Sequence, residues 1–233
     1  MEPSFGVVID PTTVKHFFSI KRAMTIELYW MAGGPFGLRC LMTLAVKNLR
    51  YRSHQLDLTK GENRTPEFLA INPSGMLPVL VDKDAVVRES QAIVFYLDRA
   101  YPVVPLWGES PAEAGAVMQE LCEQQSYAEP VLLPLLRALL FNRPATQDDI
   151  AQSINRFHVL LSEINAKLAA TGWLASERIS AADINLYPLV HSAIQCLPPE
   201  RAADLSLKKL EVSALQNLLS WMQRLQPFAQ AER

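Results

Sequence analysis

Apolar residues in the first part of the chain follow two different periods. "MTIELYWM" (Met24 to Met31) alternates and is rich in aromatic and aliphatic residues, which predicts a strand, whereas "PFGLRCLMTLAVKN" (35–48) repeats apolar residues at helical spacing. Further patterns predict a strand at 50–58, a short helix at 65–73, two short strands around Lys83 and Asp84, and a helix at 90–102. In this β-α-β-α-β-β-α order a crossover makes the first two strands parallel, and the last two form an antiparallel hairpin.

A second region follows the segment "YPVVPLWGES" (101–110), and its patterns are helical throughout. The capping box "SPAE" opens a long helix at Ser110. Pro130 and Pro134 each lack a backbone donor, so this helix should bend or restart near Glu129. The other helices predicted in this region begin at "TQDD" (Thr146), at "SAAD" (Ser180) and at Val212.

The patterns divide the chain into three parts. Residues 1–23 form an N-terminal extension, 24–103 an α/β domain, and 104–233 an all-α helical domain. The extension has no continuous apolar run and no small-residue cleavage site, so we do not interpret it as a signal peptide. A chain of 233 residues is long enough to bury a full core in one large domain or two small ones.

Charge and cysteine content narrow the class of protein. A formal net charge of −2 provides no electrostatic attraction for nucleic acid, and no apolar stretch approaches the ~20 residues of a membrane span. Cys40, Cys122 and Cys196 are odd in number and widely spaced within apolar helical patterns. This usage predicts buried thiols in a reducing cytoplasm, without disulfides or a metal site.

Candidate binding residues flank the third and fourth predicted strands. Pro78 opens a strand, where it cannot donate to the ladder, and a cis bond after Leu77 would turn the Leu77 backbone toward an extended peptide. Glu89 and Ser90 begin the next helix, whose first amides and Ser90 hydroxyl suit a carboxylate, while Glu89 suits an ammonium group. These residues predict a ligand with an amino-acid head and a peptide body. The alternative is a structural proline beside an ordinary helix cap.

Four stretches also have the order and spacing of a known family. With "GPFGLR", "TKGENRTPEFLAINPSGMLPVLVD", "VVRESQAIVFYLDRAYP" and "ISAADI", the chain resembles bacterial-type cytosolic glutathione S-transferases from about Met24 to near its C-terminus. The resemblance implies a thioredoxin-like N-terminal domain, a helical C-terminal domain, glutathione as co-substrate and a homodimer. It also implies a cis bond at Pro78, pairing of the Leu77 backbone with the cysteinyl part of glutathione, and a γ-glutamyl site at Glu89 and Ser90.

The position just before "PF" raises a chemical question. The family commonly carries a Ser or Cys there, which stabilises the glutathione thiolate or attacks glutathione, whereas this chain has Gly34. Gly34 excludes a mixed disulfide and would let glutathione approach the backbone closely, and Gly37 excludes a dithiol site. The thiolate could instead be stabilised by the backbone amides of Phe36 and Gly37 or by the hydroxyl of Tyr29. A packed strand residue is the alternative for Tyr29.

Three further predictions concern the surroundings of this site. Lys60 is a candidate partner for the glycine carboxylate of glutathione, with a solvated loop charge as the alternative. Cys40 is predicted to be core. Tyr127, Leu132, Leu136 and Phe141 could line an apolar pocket that faces the first domain and takes an apolar electrophile, although most of this set must be helix core.

The resemblance implies a glutathione S-transferase-like enzyme in which the bound thiolate attacks an electrophilic second substrate. Glutathione-dependent reduction of disulfides or peroxides, and isomerisation by transient thiol addition, are also compatible with a site that lacks cysteine. A non-catalytic glutathione-binding scaffold is the alternative from another class of protein. The expected partners are glutathione, the electrophile and a second copy of the chain, without nucleic acid or membrane.

Overall fold

The computed structural model describes residues 26–140, 144, 146–197 and 212–230. The extension proposed for residues 1–23 lies outside this part of the chain. The N-terminal region contains strands β1 (Ile26–Trp30), β2 (Tyr51–Gln55), β3 (Val79–Asp82) and β4 (Ala85–Arg88), and helices α1 (Pro35–Val46), α2 (Pro66–Ile71) and α3 (Ser90–Ala100). The C-terminal region contains helices α4 (Pro111–Glu123), α5 (Glu129–Leu140), α6 (Gln147–Lys167), α7 (Ala181–Cys196) and α8 (Gln216–Ala229). The predicted order of strands and helices is confirmed.

The four strands form one mixed sheet in the order β2-β1-β3-β4, with β1 parallel to β2 and the other neighbours antiparallel. Tyr29 pairs with Val79, and Val79 pairs with Arg88, so the end of β1, the start of β3 and the end of β4 lie in one row. Three connections therefore meet at the same edge of the sheet: the entry to α1, the Leu77-Pro78 dipeptide and the entry to α3.

Alternation along β1 assigns its residues to opposite faces of the sheet. Ile26, Leu28 and Trp30 are buried in a core shared with α1 and α3, whereas Glu27 and Tyr29 are half-buried on the other face. A strand has a side-chain period of two, so these two sets cannot share a face.

Helix α4 runs into a π-helical segment at Gln124–Ala128, directly before α5 begins. The predicted bend near Glu129 is therefore present as a change of helical pitch. Single π-turns within α-helices are rare and are frequently found at functional sites. The π-helical segment precedes Pro130. Proline has no N–H, so Pro130 cannot donate the hydrogen bond that an α-helix requires at this position.

Capping boxes begin three of the C-terminal helices, as predicted. They join Ser110 to Glu113, Thr146 to Asp149, and Ser180 to Asp183. The first two are exposed, whereas Ser180 and Asp183 are buried against Trp221 and Leu174.

The three cysteines differ in exposure, which corrects the prediction that all are buried. Cys40 is fully buried, Cys196 is half-buried and Cys122 is exposed on α4. Burial raises the pKa of the Cys40 thiol well above its ordinary value, and the nearby Arg39 opposes this only in part. Cys40 is therefore core, as predicted.

We expect a thiol reagent such as Ellman's reagent to modify Cys122 fastest in the native protein. The reagent reacts with the thiolate and must reach it, and Cys122 is the exposed cysteine of the three. Stopped-flow absorbance of wild type and Cys122→Ser measures this. The fast phase should disappear in the variant, and Cys40 should react only after unfolding. A fast phase that survives Cys122→Ser would show that another thiol is accessible.

Candidate functional site

A cleft of about 430 Å³ opens where the three connections meet. Its walls come from the N-terminal ends of α1 and α3, the segment before β3, and the junction of the π-helical segment with α5. It is lined by Phe36, Arg39, Asn72, Met76, Leu77, Pro78, Arg88, Glu89, Ser90, Gln91, Gln125 and Glu129. Five of the residues singled out from the sequence are thus brought together, namely Phe36, Leu77, Pro78, Glu89 and Ser90.

The backbone at Leu77 is available on the cleft wall. The Leu77-Pro78 bond is cis, as the resemblance implies. Strand pairing of β3 begins only at Val79, so Leu77 lies outside the ladder. A backbone segment of this kind can pair with an extended peptide.

Glu89 is the N-cap of α3 and has φ 66° and ψ 122°, a conformation that non-glycine residues rarely adopt. Backbone strain of this kind costs about 1–3 kcal/mol and is concentrated at functional sites. The Glu89 side chain is exposed and makes no cap hydrogen bond. The carboxylate of Glu89 therefore does not cap the first amides of α3, which remain available to another acceptor.

A buried arginine positions the Ser90 hydroxyl. Arg39 is 2% exposed, and its Nη1 donates to Ser90 Oγ at 3.2 Å, while its Nη2 pairs with Glu129 Oε1 at 2.8 Å. Its Nε donates to the carbonyl of Asn185 at 2.9 Å. Because Ser90 Oγ accepts from Arg39, its own proton can be donated into the cleft. Burial lowers the pKa of the Arg39 guanidinium, Glu129 opposes that shift, and arginine's high ordinary pKa keeps the group charged.

The entry to α1 presents backbone donors and no hydroxyl or thiol. Gly34 is the N-cap, with no side-chain cap, and Pro35 occupies the first helical position without an N–H. Phe36 and Gly37 therefore supply the first free amides of the helix. Gly37 packs against the Trp30 side chain, where an added Cβ would lie 3.3 Å from Trp30 Cβ. Of these residues only Phe36 lines the cleft.

Comparison with known proteins identifies the family. Residues 24–99 match the profile described as "Glutathione S-transferase, N-terminal domain". Glutathione S-transferase F10 of Arabidopsis thaliana is 36% identical over 156 residues, which is 64% of this chain and 73% of that relative. This chain belongs to the glutathione S-transferase family. The predicted family is thereby confirmed.

Two further proteins are similar to this chain, one in sequence and one in structure. A maleylacetoacetate isomerase of Pseudomonas aeruginosa is 28% identical over 175 residues, covering 72% of this chain and 81% of that relative. The structure of glutathione transferase F7 from Populus trichocarpa has a TM-score of 0.73 at 24% identity, covering 90% of this chain and 100% of that one. The predicted glutathione S-transferase fold, a thioredoxin-like domain followed by a helical one, is confirmed.

Tyr29 lies away from the cleft of this transferase fold. Its ring stacks on His54, with centroids 4.3 Å apart, and its hydroxyl donates to Glu27 Oε2 at 3.4 Å. Phe68 of α2 packs at the edge of the same pair. The strand register thus assigns Tyr29 to the sheet face that carries α2, and the cleft lining does not include it.

Lys60 and Gly34 are likewise not among the residues that line the cleft. Lys60 is exposed and pairs with Asp57 Oδ2 at 3.2 Å. Gly34 is half-buried, and a Cβ added to it would lie 3.0 Å from Met31 Cγ. Neither placement supplies a contact toward the cleft.

The described residues among the four considered for an apolar pocket in the helical region do not line the cleft. Leu132 and Leu136 are buried in the helical core, and Tyr127 is 72% exposed and lines a separate cavity of about 190 Å³. Phe141 lies outside the described residues. The helical wall of the cleft is instead polar, formed by Gln125 and Glu129.

Sequence reasoning missed Arg39 as a site residue, although a signal was present. A charged residue on the apolar face of "PFGLRCLMTLAV" must be buried and therefore needs partners. Its partners Glu129 and Asn185 are 90 and 146 residues away along the chain, and no pattern in the sequence connects them.

Membrane and metal features can be assessed only for the described residues. Within them, no helix has both the length and the apolar character required to cross a membrane. In the same part of the chain, no group of three or more His, Cys, Asp or Glu residues is arranged to hold a metal ion.

Proposed function

We propose that the cleft binds glutathione, with its peptide body along Leu77-Pro78 and its γ-glutamyl end at α3. The Ser90 hydroxyl and the first amides of α3 would hold the carboxylate, and the Glu89 side chain would pair with the ammonium group. The observation that carries this proposal is the convergence of Leu77, Pro78, Glu89 and Ser90 on one cleft. Family membership supports glutathione as the co-substrate.

The proposed reaction is attack of the glutathione thiolate on an electrophilic second substrate. Gly34 stands where family members commonly carry Ser or Cys, so thiolate stabilisation would come from the positive end of α1, through the amides at Phe36 and Gly37. The thiol proton leaves to solvent, and the sulfur forms a bond to the electrophilic carbon. Either a leaving group departs from that carbon with the bonding electrons, or a double bond opens and its far carbon takes up a proton from solvent. Catalysis would then consist of a lowered thiol pKa together with proximity.

The ultraviolet difference spectrum of glutathione mixed with the protein, titrated with pH, tests this mechanism. We expect a thiolate band that persists well below pH about 8.5, the ordinary thiol pKa. The band should survive in Tyr29→Phe, because Tyr29 stacks on His54 and is not among the residues that line the cleft. Tyr29→Phe keeps the ring that stacks on His54 and removes only the hydroxyl.

The other outcomes would change either the activating group or the function. Loss of the band in Tyr29→Phe would assign the hydroxyl as the activating group. Glutathione that binds without a thiolate band would exclude conjugation and favour the scaffold. Turnover of small disulfides or peroxides without any conjugation would identify a reductase.

A second candidate is isomerisation of a cis double bond by reversible addition of the same thiolate. The similarity to a maleylacetoacetate isomerase favours it. It requires the same glutathione site, so the spectrum tests both reactions. Consumption of glutathione separates them, because conjugation consumes it and isomerisation does not.

The remaining assignments extend the proposal beyond the cleft. We propose an electrophile whose apolar part packs on Phe36 and whose polar part meets Gln125. We further propose that the protein is a cytoplasmic homodimer, as is usual in the family, and that it is related to the bacterial-type members. Its two domains are proposed to span residues 24–103 and 104–233.

A further inference from the structure

A second concave site lies between α5 and α6, apart from the glutathione cleft. The groove has a volume of about 400 Å³, within the usual range for sites that hold small molecules. Helix α5 separates the two sites, since Glu129 lines the cleft while Pro130 and Pro134 line the groove. None of the residues that line the groove also lines the cleft.

Four side chains that can donate hydrogen bonds line this groove from the two helices. Arg137 of α5 and Arg156, Gln152 and Ser153 of α6 have no hydrogen bond or ion pair within the described part of the chain. A guanidinium is planar and presents paired donors that match the oxygens of carboxylate and phosphate groups. Two such groups facing one groove from different helices suit a ligand with two negative charges.

One acidic side chain also lines the groove, but it is already engaged. The Asp149 Oδ2 atom accepts from the backbone N–H and the hydroxyl of Thr146 at 3.1 and 2.7 Å, in the capping box that begins α6. These hydrogen bonds lower the pKa of the Asp149 carboxyl, so it stays ionised at neutral pH. Among the described residues that line the groove, two arginines against one carboxylate leave an excess of positive charge, in a chain whose net charge is −2.

The rest of the wall limits the size and shape of the ligand. The rings of Pro130 and Pro134 form a rigid apolar side opposite the donors of α6. A groove of this volume exceeds the needs of a bare inorganic anion, whereas a small organic molecule with a short apolar part would fill it. We propose that the groove binds a small organic dianion, through Arg137 and Arg156.

Isothermal titration calorimetry with succinate and, separately, inorganic phosphate tests the proposal at low salt in a buffer free of both. We expect saturable binding of at least one probe with one site per chain, and the two probes distinguish a dicarboxylate from a phosphate preference. The double variant Arg137→Gln, Arg156→Gln should weaken this binding at least tenfold. Both side chains are exposed and unpaired, so the thermal midpoint should stay that of wild type.

A charge-matched control is the double variant Arg50→Gln, Arg52→Gln, which removes two exposed arginines outside the groove. It should change the affinity for the probes less than twofold. Titration of glutathione into the groove variant should match wild type, which keeps this proposal separate from the function of the cleft. The proposal is overturned if neither probe binds saturably, or if both double variants weaken binding equally.

Discussion

Replacing Asp183 by alanine is expected to lower the free energy of unfolding by about 4 kcal/mol, because several buried donors would lose their acceptor together. Asp183 is fully buried, and its Oδ1 accepts from Trp221 Nε1 at 2.9 Å and from the Leu174 backbone at 3.1 Å. Its Oδ2 accepts from the backbone and the hydroxyl of Ser180 at 2.9 and 2.8 Å. One carboxylate thus joins the start of α7, the segment before it and α8.

The chain contains a matched control in the capping box of α6. Asp149 accepts the same two hydrogen bonds from Thr146, but it is exposed, so water can replace the carboxylate in Asp149→Ala. In that variant the free energy of unfolding should fall by only about 1 kcal/mol, the usual contribution of a helix cap. Urea unfolding followed by tryptophan fluorescence, at one fixed protein concentration, measures both changes. Equal losses in the two variants would contradict the structural role assigned to Asp183.

Ser90→Ala is expected to weaken glutathione binding about 10- to 100-fold, since a hydrogen bond to a charged group contributes about 1.5–3 kcal/mol. Ser90 is 7% exposed and its hydroxyl is oriented by Arg39, so water replaces the hydroxyl poorly. The variant also leaves one Arg39 donor without its acceptor, although Glu129 and the Asn185 carbonyl still hold the guanidinium. The fold should therefore survive.

Calorimetric titration of glutathione into wild type, Ser90→Ala and Ser162→Ala measures this effect. Ser162 is an exposed serine of α6 whose hydroxyl donates to the His158 carbonyl, and it is not among the residues that line the cleft. Its replacement should leave the affinity for glutathione unchanged. An unchanged affinity in Ser90→Ala would falsify the placement of the γ-glutamyl carboxylate at α3, even if glutathione still binds elsewhere in the cleft.

Local patterns were sufficient to predict most of the fold. The alternation of β1, the helical spacing of α1 and the capping boxes at Ser110, Thr146 and Ser180 all depend on residues within a few positions of each other. Backbone geometry restricts such short-range choices strongly, so periodicity and caps specify them. The same holds for Leu77-Pro78 and Glu89-Ser90, whose positions at the ends of strands place them together once the sheet pairs.

The sequence by itself thus determined the order of strands and helices, the caps and the residues at the sheet edge. Only the tertiary structure decided that Tyr29 packs against His54 on the sheet face that carries α2, because a shift of one residue in a strand moves a side chain to the opposite face. Only packing brought Arg39 to Ser90 and Glu129, and Arg137 to Arg156 along one groove. Those contacts join residues that are distant in the chain, and their positions follow from how whole helices pack, which no local period encodes.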